Sequence, residues 1–417
     1  MKSEIIAIGS EMLTPSRQDT NSLYLTEKFN EIGVTVAFKT IVGDRRAHIV
    51  SAIKTALART DIIAIMGGLG PTEDDLTREA VAEALSLTLR RDAQQVATLH
   101  TRAAQFRITM PSNNLKQADV IETATVLPNP NGSAPGQWLD TTFNGYRKLI
   151  FLLPGPPSEC RPLFTAECLP RLRELLPPRH IAKRTLRAAM IPESQADKLL
   201  APIYTRYKDI ETTILAHAGD IQLTLLCSKS NLAAAQQRVD ELAGLMEEAL
   251  DDWLYSTGGD SADSLEQIVL YYLGLRVSTL AVAESCTGGL IAARITSVPG
   301  ASRSFVGGAV VYSDDLKTVF ANVQPDLIAQ HGAVSQQVAE AMAEGIRIRT
   351  GADIGLGVTG IAGPTGATES KPAGLVYIAL TDGNTTECIE KNFRGDRTRV
   401  REFATQQALD LIRKRLM

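Results

Sequence analysis

Two stretches hold the side chains that can do chemistry. The first is "AESCTGG" (residues 283–289), which sets a serine, a cysteine and a threonine in one row before a glycine pair. A hydroxyl or thiol exposed on a sharp strand-to-helix turn can attack a carbonyl if a base takes its proton. Taken alone, the stretch leaves three readings open: Ser285 as nucleophile, Cys286 as nucleophile, or a polar turn with Ser285 as a helix cap. The chain has five histidines, and only His331 falls in the same third of the sequence. It sits in "AQHGAVS", which reads as a helix end, so a Ser-His-Asp triad has little support. Lys317 in "VYSDDLK" (311–317) is the better base, because burial disfavours the ammonium and frees the amine to accept a proton. Tyr312 can relay that proton or hold the lysine. The N–H groups around Cys286, Thr287, Gly288 and Gly289 can form an oxyanion hole at the helix start. Thr359 and the glycines after it in "GVTGIAGPTG", Gly360 first, can hold a carboxamide or the developing oxyanion. Arg397 in "FRGDR" suits a phosphate. This favours Ser285 with Lys317, and Cys286 then reads as a packing residue.

The second stretch is "MGGLGPTEDDLT" (66–77). Gly67, Gly68 and Gly70 let a backbone approach a ligand closely. The helix expected next offers free N–H groups to a phosphate. Asp74 and Asp75 are expected in its first turn, where carboxylates can share a divalent cation with phosphate oxygens. Equally, Thr72 or Asp74 can be a plain helix cap. The stretch is neither a P-loop nor a dinucleotide fingerprint.

These residues need elements to carry them. "EIIAI", "VTVAFKTIVG" and "DIIAIMGGLG" read as strands, each followed by a helical pattern, which predicts a mostly parallel sheet flanked by helices. "KLIFLL" (148–153) adds a strand that runs into the rigid loop "PGPPSEC". From about 180 to 256 the texture is that of a small α+β module. Beyond the polar joint "STGGDSADS" (256–264), strands and helices alternate again, and an amphipathic helix closes the chain. The four loops that hold the first site fall at strand ends or helix starts, where open α/β sheets bind ligands. The domains expected are 1–174, 175–258 and 259–417.

Bulk properties exclude several classes. The chain has 417 residues, 44% apolar and 22% charged, with a net charge of −4. That is ordinary globular composition, and bulk charge does not favour nucleic acid. The five cysteines are scattered, without a C-x-x-C, which argues against a disulfide framework or zinc knuckle. No run is long enough for a spanning helix or signal peptide, so a soluble, cytoplasmic protein is expected.

At this point a resemblance enters. "GGLGPTEDDLT", with "GSEML" (9–13), "DTNS" (19–22), "VGD" (42–44) and "LPGPPSE" (153–159), resembles the molybdopterin-binding-like domain of the CinA family. "ESCTGG", "YS…K", "HGAVS", "TGIAGP", "KPAG" and "GDR" are similar, in order, to that family's C-terminal nicotinamide-nucleotide amidohydrolase domain. Residues 180–256 resemble its KH-like linker. "HAGD" (217–220) lacks the G-x-x-G of a nucleic-acid KH loop, so a spacer or dimer element is expected there. The pattern departs from the family at Pro15, Asp19 and Ala373.

The resemblance implies an N-terminal three-layer α/β sandwich, a small α+β middle domain and a C-terminal three-layer α/β domain. It implies hydrolysis of the carboxamide of nicotinamide mononucleotide to nicotinate mononucleotide and ammonia, with Ser285 as nucleophile and Lys317 as base. Tyr312, Thr359 and Arg397 would support binding and the transition state, and no cofactor is called for. For the N-terminal domain it implies hydrolysis of ADP-ribose to AMP and ribose 5-phosphate. Gly67, Gly68, Thr72, Asn21 and Gly155 would bind substrate. Asp74 and Asp75 would hold magnesium, manganese or cobalt, with potassium as a further cation. A homodimer is implied, with neither nucleic acid nor membrane as a partner. Two other readings stand beside this one: an amidohydrolase whose N-terminal domain only binds nucleotide, and a non-catalytic, competence-associated scaffold.

Overall fold

A computed structural model describes every residue except 16, 106, 108, 178 and 259–262. The expected domain start at 259, part of the "STGGDSADS" joint and Pro178 lie outside the described residues.

Alternation along the first strand decides the first sheet. In β1 (Lys2–Ile8), Ile5 and Ala7 enter one apolar cluster while Ile6 and Ile8 enter another. A strand buried on both faces needs a layer on each side. Helix α1 (Thr20–Glu31) supplies Leu25 and Phe29 to the first cluster. Helices α2 (Arg46–Arg59) and α3 (Thr77–Leu85) supply Ile49, Ile53 and Val81 to the second. The sheet also contains β2 (Thr35–Val42), β3 (Ile62–Met66), β4 (Thr125–Leu127), β5 (Gly136–Phe143) and β6 (Tyr146–Leu153), in the order β2-β1-β3-β6-β5-β4. The β1–β2, β1–β3 and β3–β6 pairs are parallel, and the last two are antiparallel. Asp19 caps α1 by accepting from the Ser22 N–H at 2.9 Å.

Packing divides the chain into two units, one of residues 1–181 with 228–232, the other of 182–227 with 233–417. A four-stranded sheet holds β7 (His180–Ala189), β8 (Ile210–His217), β9 (Asp220–Lys229) and β10 (Leu254–Ser256), ordered β8-β9-β7-β10, and all but the outermost residues of β7 and β9 belong to the second unit. "HAGD" is the tight turn between β8 and β9. The buried Arg413 ties this sheet to the last helix, donating to the carbonyls of Leu254 (3.0 Å) and Asp252 (2.7 Å).

The C-terminal sheet is β12-β11-β13-β14-β15, built from β11 (Leu280–Glu284), β12 (Phe305–Val310), β13 (Ile354–Gly360), β14 (Leu375–Thr381) and β15 (Thr386–Asn392). Leu280 and Val282 face one cluster, Ala281 and Ala283 the other, so this sheet is also a middle layer. No helix among the described residues is long and apolar enough to cross a membrane.

Candidate functional sites at two sheet edges

Strand register assembles the C-terminal site. Glu284 ends β11 and pairs with Val310 of parallel β12 on one side and Val358 of parallel β13 on the other. Ser285 and Val311 therefore leave their strands side by side, next to Thr359, which is still within β13. The Ser285 N–H donates to Val358 O at 2.9 Å, and the Val311 N–H to Glu284 O at 2.8 Å. The turn then bends sharply into α4 (Leu290–Thr296). Gly288 and Gly289 have φ of +60° and +90°, which only glycine adopts without strain.

Sequence reasoning assigned no role to Glu284, yet this side chain holds the turn. It is buried, and its carboxylate accepts from the N–H groups of Gly289 (3.0 Å), Ile291 (3.1 Å) and Ala292 (2.8 Å). Arg401, also missed, donates from Nη2 to Thr287 O at 2.8 Å. These bonds narrow the expected oxyanion hole. The Gly289 N–H is spent on Glu284 and the Gly288 N–H on Ser285 O at 3.1 Å. The Cys286 and Thr287 N–H groups bond to no oxygen among the described residues and lie within reach of the Cys286 sulfur.

Cys286 is buried in the apolar cluster with Val282, Ile291 and Val358. Burial pushes its thiol up to about 12. At pH 8 the thiolate is then roughly one part in ten thousand. We expect Cys286 to resist iodoacetamide at pH 8 in the folded protein and to react once urea unfolds it, read by peptide mass spectrometry. Alkylation within minutes in the native state would reverse this.

Lys317 lies on α5 (Asp314–Ala321) and is only 2% exposed. Its Nζ is 3.4 Å from Asp314 Oδ1, on a side chain that is itself 60% exposed. Among the described residues no hydrogen bond joins Ser285 Oγ to Lys317 Nζ. Catalytic hydrogen bonds commonly tighten only around bound substrate. Arg397 opens the last helix, α7 (Arg397–Leu416), and reaches two of the expected loops. It donates to Tyr312 Oη at 2.7 Å and to Gly363 O at 3.0 Å. Asp396 caps that helix instead of pairing with Arg397. Thr359 is buried and its hydroxyl donates to Ala333 O at 2.8 Å, so it braces the "HGAVS" loop. Gly360 follows at the end of β13, where a Cβ would come within 2.7 Å of Leu375 O.

The N-terminal site sits at the ends of β1 and β3. A cavity of about 550 Å³ is lined by Gly67, Gly68, Gly70, Asp74, Asp75 and Gly155, among others. Gly67 and Gly68 have φ of +95° and +65°, and a Cβ there would fall 2.2 Å from Ile8 O and from Thr77 Oγ1. Asn21 and Gly155 are joined directly, the amide donating to the carbonyl at 2.8 Å. The expectation that Asp74 and Asp75 occupy the first helical turn is corrected: α3 begins at Thr77. The reason is local. Asp75 accepts from the Thr72 N–H at 2.9 Å and closes a turn of its own, while the Thr77 hydroxyl bonds back to Gly67 O at 2.7 Å. The buried Arg78, unmarked by sequence reasoning, donates to the carbonyls of Leu69 (3.0 Å) and Gly70 (3.1 Å).

The Thr72 hydroxyl lies 2.5 Å from both the Asp74 and Asp75 carboxylates. Its hydrogen bond holds the Asp74 carboxyl below the usual range. Among the described residues no three acidic, histidine or cysteine side chains gather into a metal cage. Each aspartate keeps one oxygen outside the bonds to Thr72. That donor set fits a hard divalent cation that retains waters and shares substrate phosphates, as magnesium commonly does.

Three family models match the chain: a probable molybdopterin binding domain over residues 4–174, the damage-inducible protein CinA KH domain over 183–256 and the CinA C-terminal domain over 262–416. The chain is similar to a CinA-like protein of Acidobacterium capsulatum, 63% identical over 417 residues and 100% of both chains. It is similar to a putative competence-damage inducible protein of Caldicellulosiruptor bescii, 38% identical over 417 residues and 100% of both. A crystal structure of the competence damage-inducible protein A from Klebsiella pneumoniae is 35% identical, covers 36% of this chain and 94% of that one, and has a TM-score of 0.36.

Proposed function

The chain belongs to the CinA family, with molybdopterin-binding-like, KH-like and CinA C-terminal domains in that order, and from that premise we propose a bifunctional hydrolase that recycles pyridine nucleotides. The C-terminal domain hydrolyses the carboxamide of nicotinamide mononucleotide. The observation that carries this reading is the register that sets Ser285 beside Val311 and Thr359 at the carboxyl ends of adjacent strands, with Tyr312 next along the chain and Lys317 buried on the helix that follows.

Ser285 Oγ attacks the carboxamide carbon as its proton passes to Lys317, the general base. The Cys286 and Thr287 N–H groups meet the oxygen that gains charge. Lys317 returns the proton to the amide nitrogen, the C–N bond breaks and ammonia leaves. Water, deprotonated by Lys317, then cleaves the acyl ester and frees nicotinate mononucleotide and Ser285. Arg397 and Tyr312 bind the phosphate, which lies far from the bonds that change.

For the N-terminal domain we propose hydrolysis of ADP-ribose to AMP and ribose 5-phosphate. Asp74 and Asp75 would hold the divalent cation, which when bound neutralises charge on the pyrophosphate. The Gly67–Gly70 loop admits the phosphates to the main chain. A homodimer that meets only small nucleotides, in the cytoplasm, completes the proposal.

Purified protein supplied separately with nicotinamide mononucleotide and ADP-ribose, with and without magnesium, tests both halves. Ammonia from the first without metal, and AMP from the second only with metal and lost in Asp74→Ala, are the expected results. AMP formation indifferent to Asp74→Ala would sink the metal assignment. Absence of ammonia would sink the amidohydrolase.

A further inference from the structure

Among the described residues, one side chain that lines the N-terminal cavity has a buried polar atom that the protein leaves without a partner. Gln117 lies on the short 3-10 segment Ser112–Ala118, is 2% exposed and lines the cavity. Its Oε1 is buried and has no hydrogen-bond partner. The segment is held in place. Lys116 donates to Thr72 O at 3.1 Å and pairs with Glu79 at 3.4 Å, which ties Gln117 to the Thr72–Asp75 turn. A buried acceptor without a donor destabilises a fold, and an apolar side chain of the same shape would not.

The idle atom is an acceptor, so its partner must bring a hydrogen. Phosphate oxygens have none to offer. In a nucleotide the donors are the sugar hydroxyls and any exocyclic amine. An amide also carries its own N–H donors, so it can answer an amine and the adjacent ring nitrogen together. Adenine presents that pair, and glutamine reads it with two hydrogen bonds. On the edge that carries the amine and N7, hypoxanthine offers two acceptors, O6 and N7, so one of them faces Oε1 in either orientation of the amide. The cavity volume of about 550 Å³ lies within the range that holds a ligand of nucleotide size.

We propose that Gln117 reads the amino edge of the adenine base and is the specificity-determining residue of the N-terminal site. The inference rests on the reading that this cavity takes an adenine nucleotide. It does not require that the nucleotide be hydrolysed.

Calorimetric titration with AMP and with IMP, in the absence of metal, provides the test. The native protein binds AMP about tenfold or more tightly than IMP, the value of one satisfied against one opposed hydrogen bond. Gln117→Met loses AMP affinity by about the same factor, leaves IMP binding unchanged and does not lower the melting temperature of the free protein, because an unanswered acceptor has been removed. Equal affinity for AMP and IMP in the native protein overturns the proposal, and needs no variant to fold. Equal weakening of both nucleotides in Gln117→Met also overturns it and points to a sugar hydroxyl. An AMP preference untouched by Gln117→Met overturns it as well, and would make Oε1 the partner of a buried water. If neither nucleotide binds, the proposal and the nucleotide reading beneath it fail together. If AMP preference is intact but ADP-ribose is not cleaved, only the hydrolase reading fails.

Discussion

Ser285→Ala is expected to lower ammonia release from nicotinamide mononucleotide by a factor on the order of 10⁶, and Lys317→Met by roughly 10²–10⁴, with neither variant less stable than the native protein. Ser285 is the atom that forms the bond, so its loss leaves only binding and the oxyanion donors. Lys317 moves protons, and water can replace it poorly. The stability half of the prediction follows from burial. The Lys317 side chain is 2% exposed, and its ion pair with Asp314 is 3.4 Å long. An ammonium taken out of water with so loose a partner gains little from the pair. Methionine fills nearly the same volume without a charge. Asp314, 60% exposed, stays solvated when its partner is gone. Urea denaturation should therefore show Lys317→Met unchanged or more stable by about 1 kcal/mol. The double variant should be no slower than Ser285→Ala alone, since groups that act in one step are not additive. A Lys317→Met protein that retains native ammonia release would remove the lysine from the mechanism. One that is less stable by several kcal/mol would make it a structural residue.

Where the sequence marked a site by backbone geometry, it was legible. A strand that stops at Glu284, a polar row and two glycines can hardly be anything but a sharp turn, and the positive φ at Gly288 and Gly289 agrees. The strand in "DIIAIMGGLG" was equally visible, because it depends on a simple apolar run. Partners across space were not visible. An acid at a strand end looks like any acid, and nothing in the spacing shows that Glu284 turns back onto three N–H groups. Arg78 looks like a surface residue of an amphipathic helix, yet it faces inward because the glycine loop offers carbonyls there. The antiparallel part of the first sheet went unread although a signal existed. Asn144–Gly145, both with positive φ, joins β5 to β6, and Asn-Gly between strand-like runs is the strongest short hairpin signal. β15 escaped because its residues are mostly exposed and its alternation is weak. The placement of Asp74 and Asp75 one turn too far into a helix arose from helix propensity in "DDLTREA". The Thr72–Asp75 turn competes for the same backbone and wins.

Glu284→Gln should cost stability by about 3 kcal/mol or more, and slow ammonia release by about 10²-fold, although it changes a single atom of the side chain. A carboxylate offers acceptors on both oxygens, and here one oxygen takes Gly289 and Ile291 while the other takes Ala292. An amide has a single acceptor oxygen. Its NH₂ group must then face at least one N–H, which leaves a buried donor unanswered and sets donor against donor. The bonds lost are charge-assisted, about twice as strong as neutral ones. The damage does not stay in the helix. Ser285 is bonded to β13 through its N–H and to the turn through its carbonyl, so a turn that relaxes carries Oγ with it. Displacement of a nucleophile by about 1 Å is enough for a 10²-fold loss. The signature separates positioning from plain unfolding. At a temperature where Glu284→Gln is fully folded by circular dichroism, kcat should fall while KM for nicotinamide mononucleotide stays within about threefold, because Arg397 and Tyr312 still bind the phosphate. A variant with native kcat would free Ser285 from any dependence on Glu284. One with raised KM and native kcat would place the glutamate in substrate binding instead.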